Sequence, residues 1–191
     1  MTVITIIDCE TTGLPRKGFD ARVIELAVES WFVDCDNKET LIECWSSLIR
    51  PSDFEIKNSH IHGITQEHAY RFGHDLEQVL SRFYNTLQTT DVLVAHNLKF
   101  DVEMILSEFK HFPRFDTTRI PQPTDQTSSG NTIKLYCTMI EATLVLKTSK
   151  WPKLVELHKR LHSNETNPVQ THRAMDDVKL CRECYFKLTN Q

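Results

Sequence analysis

The chain has 191 residues, 40% hydrophobic and 25% charged, with few glycines and prolines, which is the profile of one soluble globular domain spanning 1–191. A formal net charge of -4 argues against a broad basic face for gripping duplex nucleic acid, and no apolar run approaches the length of a membrane span. Met1-Thr2 leads straight into a strand without a basic and apolar leader, so an intracellular, cytoplasmic location is expected, with most of the six cysteines reduced in the core.

The first predicted element is the β-branched run Val3-Ile4-Thr5-Ile6-Ile7, a buried strand that ends in Asp8-Cys9-Glu10-Thr11-Thr12-Gly13. Alternation along a strand puts Asp8 and Glu10 on one face and Cys9 on the other. Two adjacent carboxylates at a buried strand end repel each other, and divalent cations between them and a substrate phosphate would relieve that cost. Taken alone, an Asp-x-Glu is more simply a solvated acidic strand end; the later motifs decide against that.

Residues Arg22 to Cys35 and Thr40 to Arg50 read as two further strands, joined by a hairpin turn at Asp34–Lys38, so that the first three strands form an antiparallel meander. Pro51 to Ser59 is loop. Ile61-His62-Gly63-Ile64-Thr65 contains a sharp turn, and Thr65 caps a short helix through Tyr70. A helix over about 75–87 buries Leu76, Val79, Leu80, Phe83 and Leu87.

Asp91 to Ala95 is a short buried strand leading to Asn97-x-x-x-Asp101 on a helix that runs to Phe109. Asp101 shares the apolar stripe of Leu98, Ile105 and Phe109, whereas Glu103 lies on the wet side with Ser107 and Lys110. An acid on an inward stripe beside a strand end is a candidate ligand. The segment 113–133, rich in proline and serine and without periodicity, is either a mobile flap or a tolerated insertion. A last strand over Lys134–Thr138, a helix to Lys147 and another carrying Leu154, Leu157 and Leu161 follow; His158 and His162 are expected at the surface. Arg16-Lys17, Lys147, Lys150, Lys153 and Lys159-Arg160 are either phosphate contacts or a solvated face.

His172 precedes the final helix, on which Asp176 shares a face with Lys179, Glu183 and Lys187. Asp177 instead shares one with Leu180, Cys181 and Cys184 and should point inward. The C-x-x-C of Cys181 and Cys184 reads as a structural thiol pair. Asp8, Glu10, Asp101 and Asp177 therefore offer four oxygen donors suited to two Mg²⁺ or Mn²⁺ ions, and a histidine can take a proton from water near neutral pH.

These motifs, in this order, resemble those of the DnaQ-like DEDDh 3′–5′ exonucleases, with Ile61–Thr65 and Cys137-Thr138-Met139 resembling secondary signatures of the family. The resemblance covers nearly the whole chain. It implies an α/β, RNase H-like fold with a mixed five-stranded sheet, in which the meander is joined by two parallel strands and flanked by helices. It implies that Asp8 bridges two metals, that Glu10 and Asp177 complete the nucleophile-side site, that Asp101 serves the other, and that His172 is the general base. It further implies that Thr11, Thr12 and Leu14 hold the 3′-terminal nucleotide, with Ile61, His62, Asn97 and Phe100 around its base and sugar. The expected substrate is the 3′ end of single-stranded DNA, with RNA the alternative, and the product a nucleoside 5′-monophosphate. Two other readings are an accessory binding module of a polymerase complex and a small-phosphoester hydrolase. The five intact site residues, and the lack of a tail after the last helix, weigh against the module.

Overall fold

Strands β1 (Thr2–Thr11), β2 (Val23–Val33) and β3 (Glu39–Leu48) form the expected antiparallel meander; β4 (Val92–Ala95) and β5 (Lys134–Cys137) join in parallel on the other side of β1, giving the order β3-β2-β1-β4-β5. The computed structural model describes residues 1–120, 133–147, 149–162 and 171–190. With helices on both faces, the arrangement is that of the RNase H-like fold.

The central place of β1 explains its composition. A strand covered on both faces has no use for a polar side, so Ile4, Ile6 and Ile7 are all buried. Its even residues face one layer and its odd residues the other. Ile4 and Ile6 pack with α5 (Thr138–Val145), α6 (Leu154–Leu161) and α7 (Ala174–Thr189), through Ala142, Leu154, Leu157, Val178 and Cys181. Ile7 and Cys9 pack with α3 (Leu76–Thr89) and α4 (Leu98–Phe109), through Val79, Leu80, Phe83, Val102 and Ile105. Asp8 and Glu10 continue the even register and so face the α7 layer.

The C-terminal end of β1 is irregular where the chemistry is expected. Glu10 pairs with Glu25, but Thr11 pairs with Val23, leaving Ile24 as an extra residue on β2. Such bulges re-aim side chains at a strand end. Gly13 then takes φ of +143°, a backbone conformation that side-chain-bearing residues rarely adopt, and the chain leaves the sheet.

Two short helices follow the meander: α1 (Ser59–His62), where a turn was expected, and α2 (Gln66–Phe72), whose N-cap Thr65 accepts the His68 N–H. Phe112, just before the 113–133 segment, and Phe115 within it pack on the α3–α4 side, and Ile120 and Ile133 are buried, so both ends are seated in the core. Residues 121–132, on which the flap expectation falls, lie outside the described part.

Two expectations need correction. His158 is not at the surface: it is 3% exposed, and its Nε2 lies 2.6 Å from Oε2 of Glu183. It stands one turn after Leu154 on the face that α6 turns to α7, so it belongs to the apolar stripe. Of the six cysteines, only Cys9, Cys181 and Cys184 are buried; Cys35 is exposed in the β2–β3 hairpin and Cys44 on edge strand β3. No helix among the described residues is long and apolar enough to cross a membrane.

Candidate active site

Carboxylate oxygens of Asp8, Glu10 and Asp177 all lie within 4.8 Å of one another. The first two come from the even face of β1. The third comes from the first turn of α7, whose buried face (Asp177, Val178, Cys181, Cys184) sits over that strand. Asp176, one residue earlier, points away and meets Lys179 at 3.8 Å. The periodicity that assigns Asp177 inward and Asp176 outward holds.

Asp101 arrives from the opposite layer. It lies in the first turn of α4, is 2% exposed, and its Oδ1 accepts the backbone N–H of Cys9 at 3.1 Å. That bond fastens the start of α4 to β1 between the two acidic residues. Among the neighbouring charges, Asp101 raises the Asp8 pKa most.

The electrostatics are those of an overloaded site. Burial, then the charges of Asp101, Asp177, Glu10 and Glu25, hold the Asp8 pKa well above the usual carboxylate range. Burial, then Asp177, Glu25 and Asp101, push Glu10 up to about 8, against a lowering by Arg173. Burial pushes Asp101 up to about 7, against the Cys9 hydrogen bonds. Carboxylates forced together this way are relieved by a cation of two charges. The donors are all hard oxygens, so Mg²⁺ or Mn²⁺ fits them and a thiolate-seeking metal does not.

His172 stands just before α7 with φ of +52°, exposed, and lines one cavity of about 420 Å³ with Asp8, Asp177, His96, Met139, Trp151 and Lys153. A non-glycine residue in the left-handed region is held there by its surroundings. A cavity of similar size, about 470 Å³, between Asp20, Arg22, Asp53 and Glu108 offers no comparable chemistry. There Arg22 is already bonded to both Glu108 oxygens and to Asp53.

The expected substrate residues fall into two groups. Leu14 and Ile61 are exposed at 73% and 50%, Phe100 is half-buried against the α3–α4 core, and Asn97 is exposed at φ of +72°. By contrast, Thr11 and Thr12 are buried and their hydroxyls shape the turn: Thr11 Oγ1 donates to the Gly13 carbonyl, and Thr12 Oγ1 accepts the Arg22 N–H. His62 is 2% exposed; its Nδ1 accepts the Ile64 N–H, and its Nε2 has no hydrogen-bond partner. Asn58 Nδ2 donates to the Thr11 carbonyl at 3.0 Å, tying α1 and hence Ile61 to the end of β1.

Three participants escaped the sequence reading. Glu25, 1% exposed on β2, sits directly across from Glu10 and is a fifth carboxylate of the cluster. Its signal was available: Glu25 and Glu29 occur two positions either side of Ala27 in an apolar strand, hence on its α7 face. Arg173 binds Glu25. His96, after β4, engages Thr138 Oγ1 through Nδ1 at 2.9 Å and the Pro152 carbonyl through Nε2 at 3.0 Å.

A family model described as exonuclease, RNase_T, matches residues 5–185. Among curated proteins, the chain is similar to "Exonuclease DPD1, chloroplastic/mitochondrial" of Arabidopsis thaliana, 29% identical over 197 residues, with 99% of this chain and 56% of that protein covered. Among solved structures, it is similar to exonuclease X in complex with 5′-overhanging duplex DNA (TM-score 0.61, 23% identity, 98% of this chain and 91% of the other). It is also similar to E. coli exonuclease I in complex with a dT13 oligonucleotide (TM-score 0.71, 18% identity, 100% and 41%). At these identities the two structural likenesses carry the fold. The chain spans little more than half of the plant protein and less than half of exonuclease I.

Proposed function

The chain belongs to the RNase_T exonuclease family, DnaQ-like enzymes of the RNase H-like superfamily, and from that premise we propose that it hydrolyses nucleic acid from the 3′ end, releasing nucleoside 5′-monophosphates. The observation that carries the reading is the gathering of Asp8, Glu10 and Asp177 oxygens within 4.8 Å, beside a cavity that His172 shares.

Asp8, Glu10, Asp101 and Asp177 would hold two Mg²⁺ or Mn²⁺ ions, which when bound would lower the pKa of a water and neutralise charge at the departing oxygen. The protein supplies the rest. Paired carboxylates on a rigid strand end fix where the scissile phosphate sits, and Asp101 locks that end through Cys9. His172 accepts the proton of the attacking water on a ring nitrogen and, being exposed, passes it to solvent. The exposed apolar groups Leu14 and Ile61, with Phe100, form a wall for the terminal base, which binds without regard to sequence. Single-stranded DNA is the proposed substrate, because no broad basic surface is required to hold one strand end. RNA is the alternative.

The test is a 5′-labelled single-stranded DNA and a matching RNA incubated with the protein in Mg²⁺ or Mn²⁺, against EDTA and Asp8→Ala controls. A ladder shortening from the 3′ end, lost in both controls, is expected, and the relative rates choose the polymer. Labels left intact on both substrates, or a ladder that persists in Asp8→Ala, would overturn the reading.

A further inference from the structure

We propose that Trp151 is a stacking platform for the base on the 5′ side of the scissile phosphate, an upstream subsite built on the turn Trp151-Pro152-Lys153. The inference deepens the proposed exonuclease function and rests on it.

The turn lies at the mouth of the cavity that Asp8, Asp177 and His172 line. Trp151 is 64% exposed, an unusual state for the largest apolar side chain, while the residues around it are firmly held. His96 bonds the Pro152 carbonyl from one side, and Leu154, 4% exposed, is buried in the α7 layer on the other. His96 is itself fixed to Thr138, the first residue of α5. The indole therefore stands on a backbone pinned to the ends of β4 and β5. An aromatic face costs little conformational entropy to present when its base is rigid.

The chemistry around the indole selects its ligand. Lys147, Lys150 and Lys153 are exposed in the same stretch of a chain whose net charge is -4. Basic side chains interleaved with an exposed aromatic, next to a site for phosphodiester chemistry, suit a nucleic-acid strand: the lysines meet phosphates, the ring meets a base.

The topology says which base. The wall proposed for the terminal nucleotide includes Leu14 and Ile61, and α1 is tied to the Thr11 carbonyl, just beyond Glu10 at the end of β1. The Trp151 turn hangs from His96 and Thr138, on the β4–β5 side. Asp8 and Asp177 line one cavity with that turn, and Glu10 stands between Asp8 and Thr11 along β1. A strand with its last base on the first wall and its scissile phosphate at Asp8 and Asp177 runs its next base over Trp151.

The experiment compares an oligothymidylate with the same oligomer carrying an abasic residue next to the 3′ end. For the unaltered protein, kcat/KM is expected to be about tenfold higher with the base present, from the usual worth of one base–aromatic stack. Trp151→Ala is expected to erase that ratio through KM, and Trp151→Phe to keep most of it. A ratio near one in the unaltered protein, or one unchanged in Trp151→Ala, overturns the platform while leaving 3′ trimming intact. A second readout does not depend on cleavage. Trp45 is buried and Trp31 half-buried, so in Asp8→Ala the oligomer should quench indole fluorescence and its abasic counterpart should not. Equal quenching by both, or quenching that persists in Asp8→Ala/Trp151→Phe, also overturns it. Failure of the exonuclease reading shows itself separately, as both oligomers remaining uncut.

Discussion

Glu25 receives Arg173 on both of its oxygens, Nε to Oε2 at 3.0 Å and Nη2 to Oε1 at 2.8 Å. The same carboxylate accepts the Ala174 N–H at the start of α7 and the Ser46 hydroxyl. One buried acid on β2 thus caps the helix that carries Asp177 and fixes the residue next to His172. Four residues further along β2, Glu29 does the same lower down, bonding Arg182 and the Trp31 indole. Arg173 at the N-cap of α7 and Arg182 within it stand on two glutamates of β2, and the helix that carries Asp177 has little freedom to slide.

Removing the arginine from that clamp leaves Glu25 buried with half of its partners. Breaking a buried pair from one side costs about 3 kcal/mol at the lower end of the usual range, appropriate here because Arg173 is partly exposed. For a chain of this size Arg173→Ala should lower the Tm by roughly 6–12 °C. It should also reduce kcat while leaving KM for an oligonucleotide nearly unchanged, since the clamp orients His172 and Asp177 rather than touching the base wall. Thermal unfolding and steady-state trimming check this; a rise in KM alone would remove the positioning role.

The acid cluster makes the metal-free protein sensitive to pH in a defined direction. Glu10 moves from 4.5 up to about 8 on folding and Asp101 from 3.8 up to about 7, and Asp8 is also raised. Between those limits the folded state binds more protons than the unfolded state, so the cluster's contribution to stability falls as pH rises from about 4 to 8. In EDTA the Tm should be higher at pH 5.5 than at pH 8. Mg²⁺ or Mn²⁺ should raise the Tm strongly at pH 8 and weakly at pH 5.5, where protons compete for the same oxygens. Asp8→Asn should raise the Tm in EDTA at pH 8. A metal-induced shift independent of pH would contradict the raised carboxylates.

The fold and four of the carboxylates were legible because each rests on a strong period. Ile4, Ile6 and Ile7 mark a strand with no wet face, and Asp8 and Glu10 inherit its alternation. Leu98, Ile105 and Phe109 carry Asp101 inward, and Leu180, Cys181 and Cys184 carry Asp177. What was hidden depends on partners distant in the chain. Glu108 reads as an ordinary helix acid until Arg22 comes across to meet it, and the alternation that puts Glu25 on the α7 face does not name its partner Arg173. His158 was misread because histidine is usually wet; its position beside Leu154 and Leu157 was the better guide. Thr11 and Thr12 are expected to hold the terminal nucleotide, and the structure adds what the sequence does not show: their hydroxyls bond the Gly13 carbonyl and the Arg22 N–H.

Asp101 accepts the Cys9 N–H and is proposed also to serve the metals, and two substitutions divide these tasks. Asp101→Asn keeps an oxygen for the Cys9 N–H and loses only the charge; Asp101→Ala also strands a buried donor, at about 1–3 kcal/mol. Cleavage should fall by on the order of 10³-fold in both, equivalent to about 4 kcal/mol of charge stabilisation. Only the alanine variant should lose thermal stability in EDTA. Equal stability of the two would mean that the Cys9 bond does not hold the strand end.

His172 is proposed to move a proton rather than to hold a metal, and the distinction can be measured. It is exposed while Asp8, Glu10 and Asp177 gather without it, and it lines the cavity with its backbone at φ of +52°, next to the clamped Arg173. His172→Ala should cut kcat by 10²–10⁴-fold, the usual worth of a general base, with KM little changed. The Mg²⁺-dependent rise in Tm should survive in that variant and vanish in Asp8→Ala, although both are inactive. Loss of the metal-dependent shift in His172→Ala would make the histidine a ligand, and the proton would need another acceptor in the cavity. Retention of the shift with a rate within threefold of the unaltered protein would leave the histidine without a role in the chemistry.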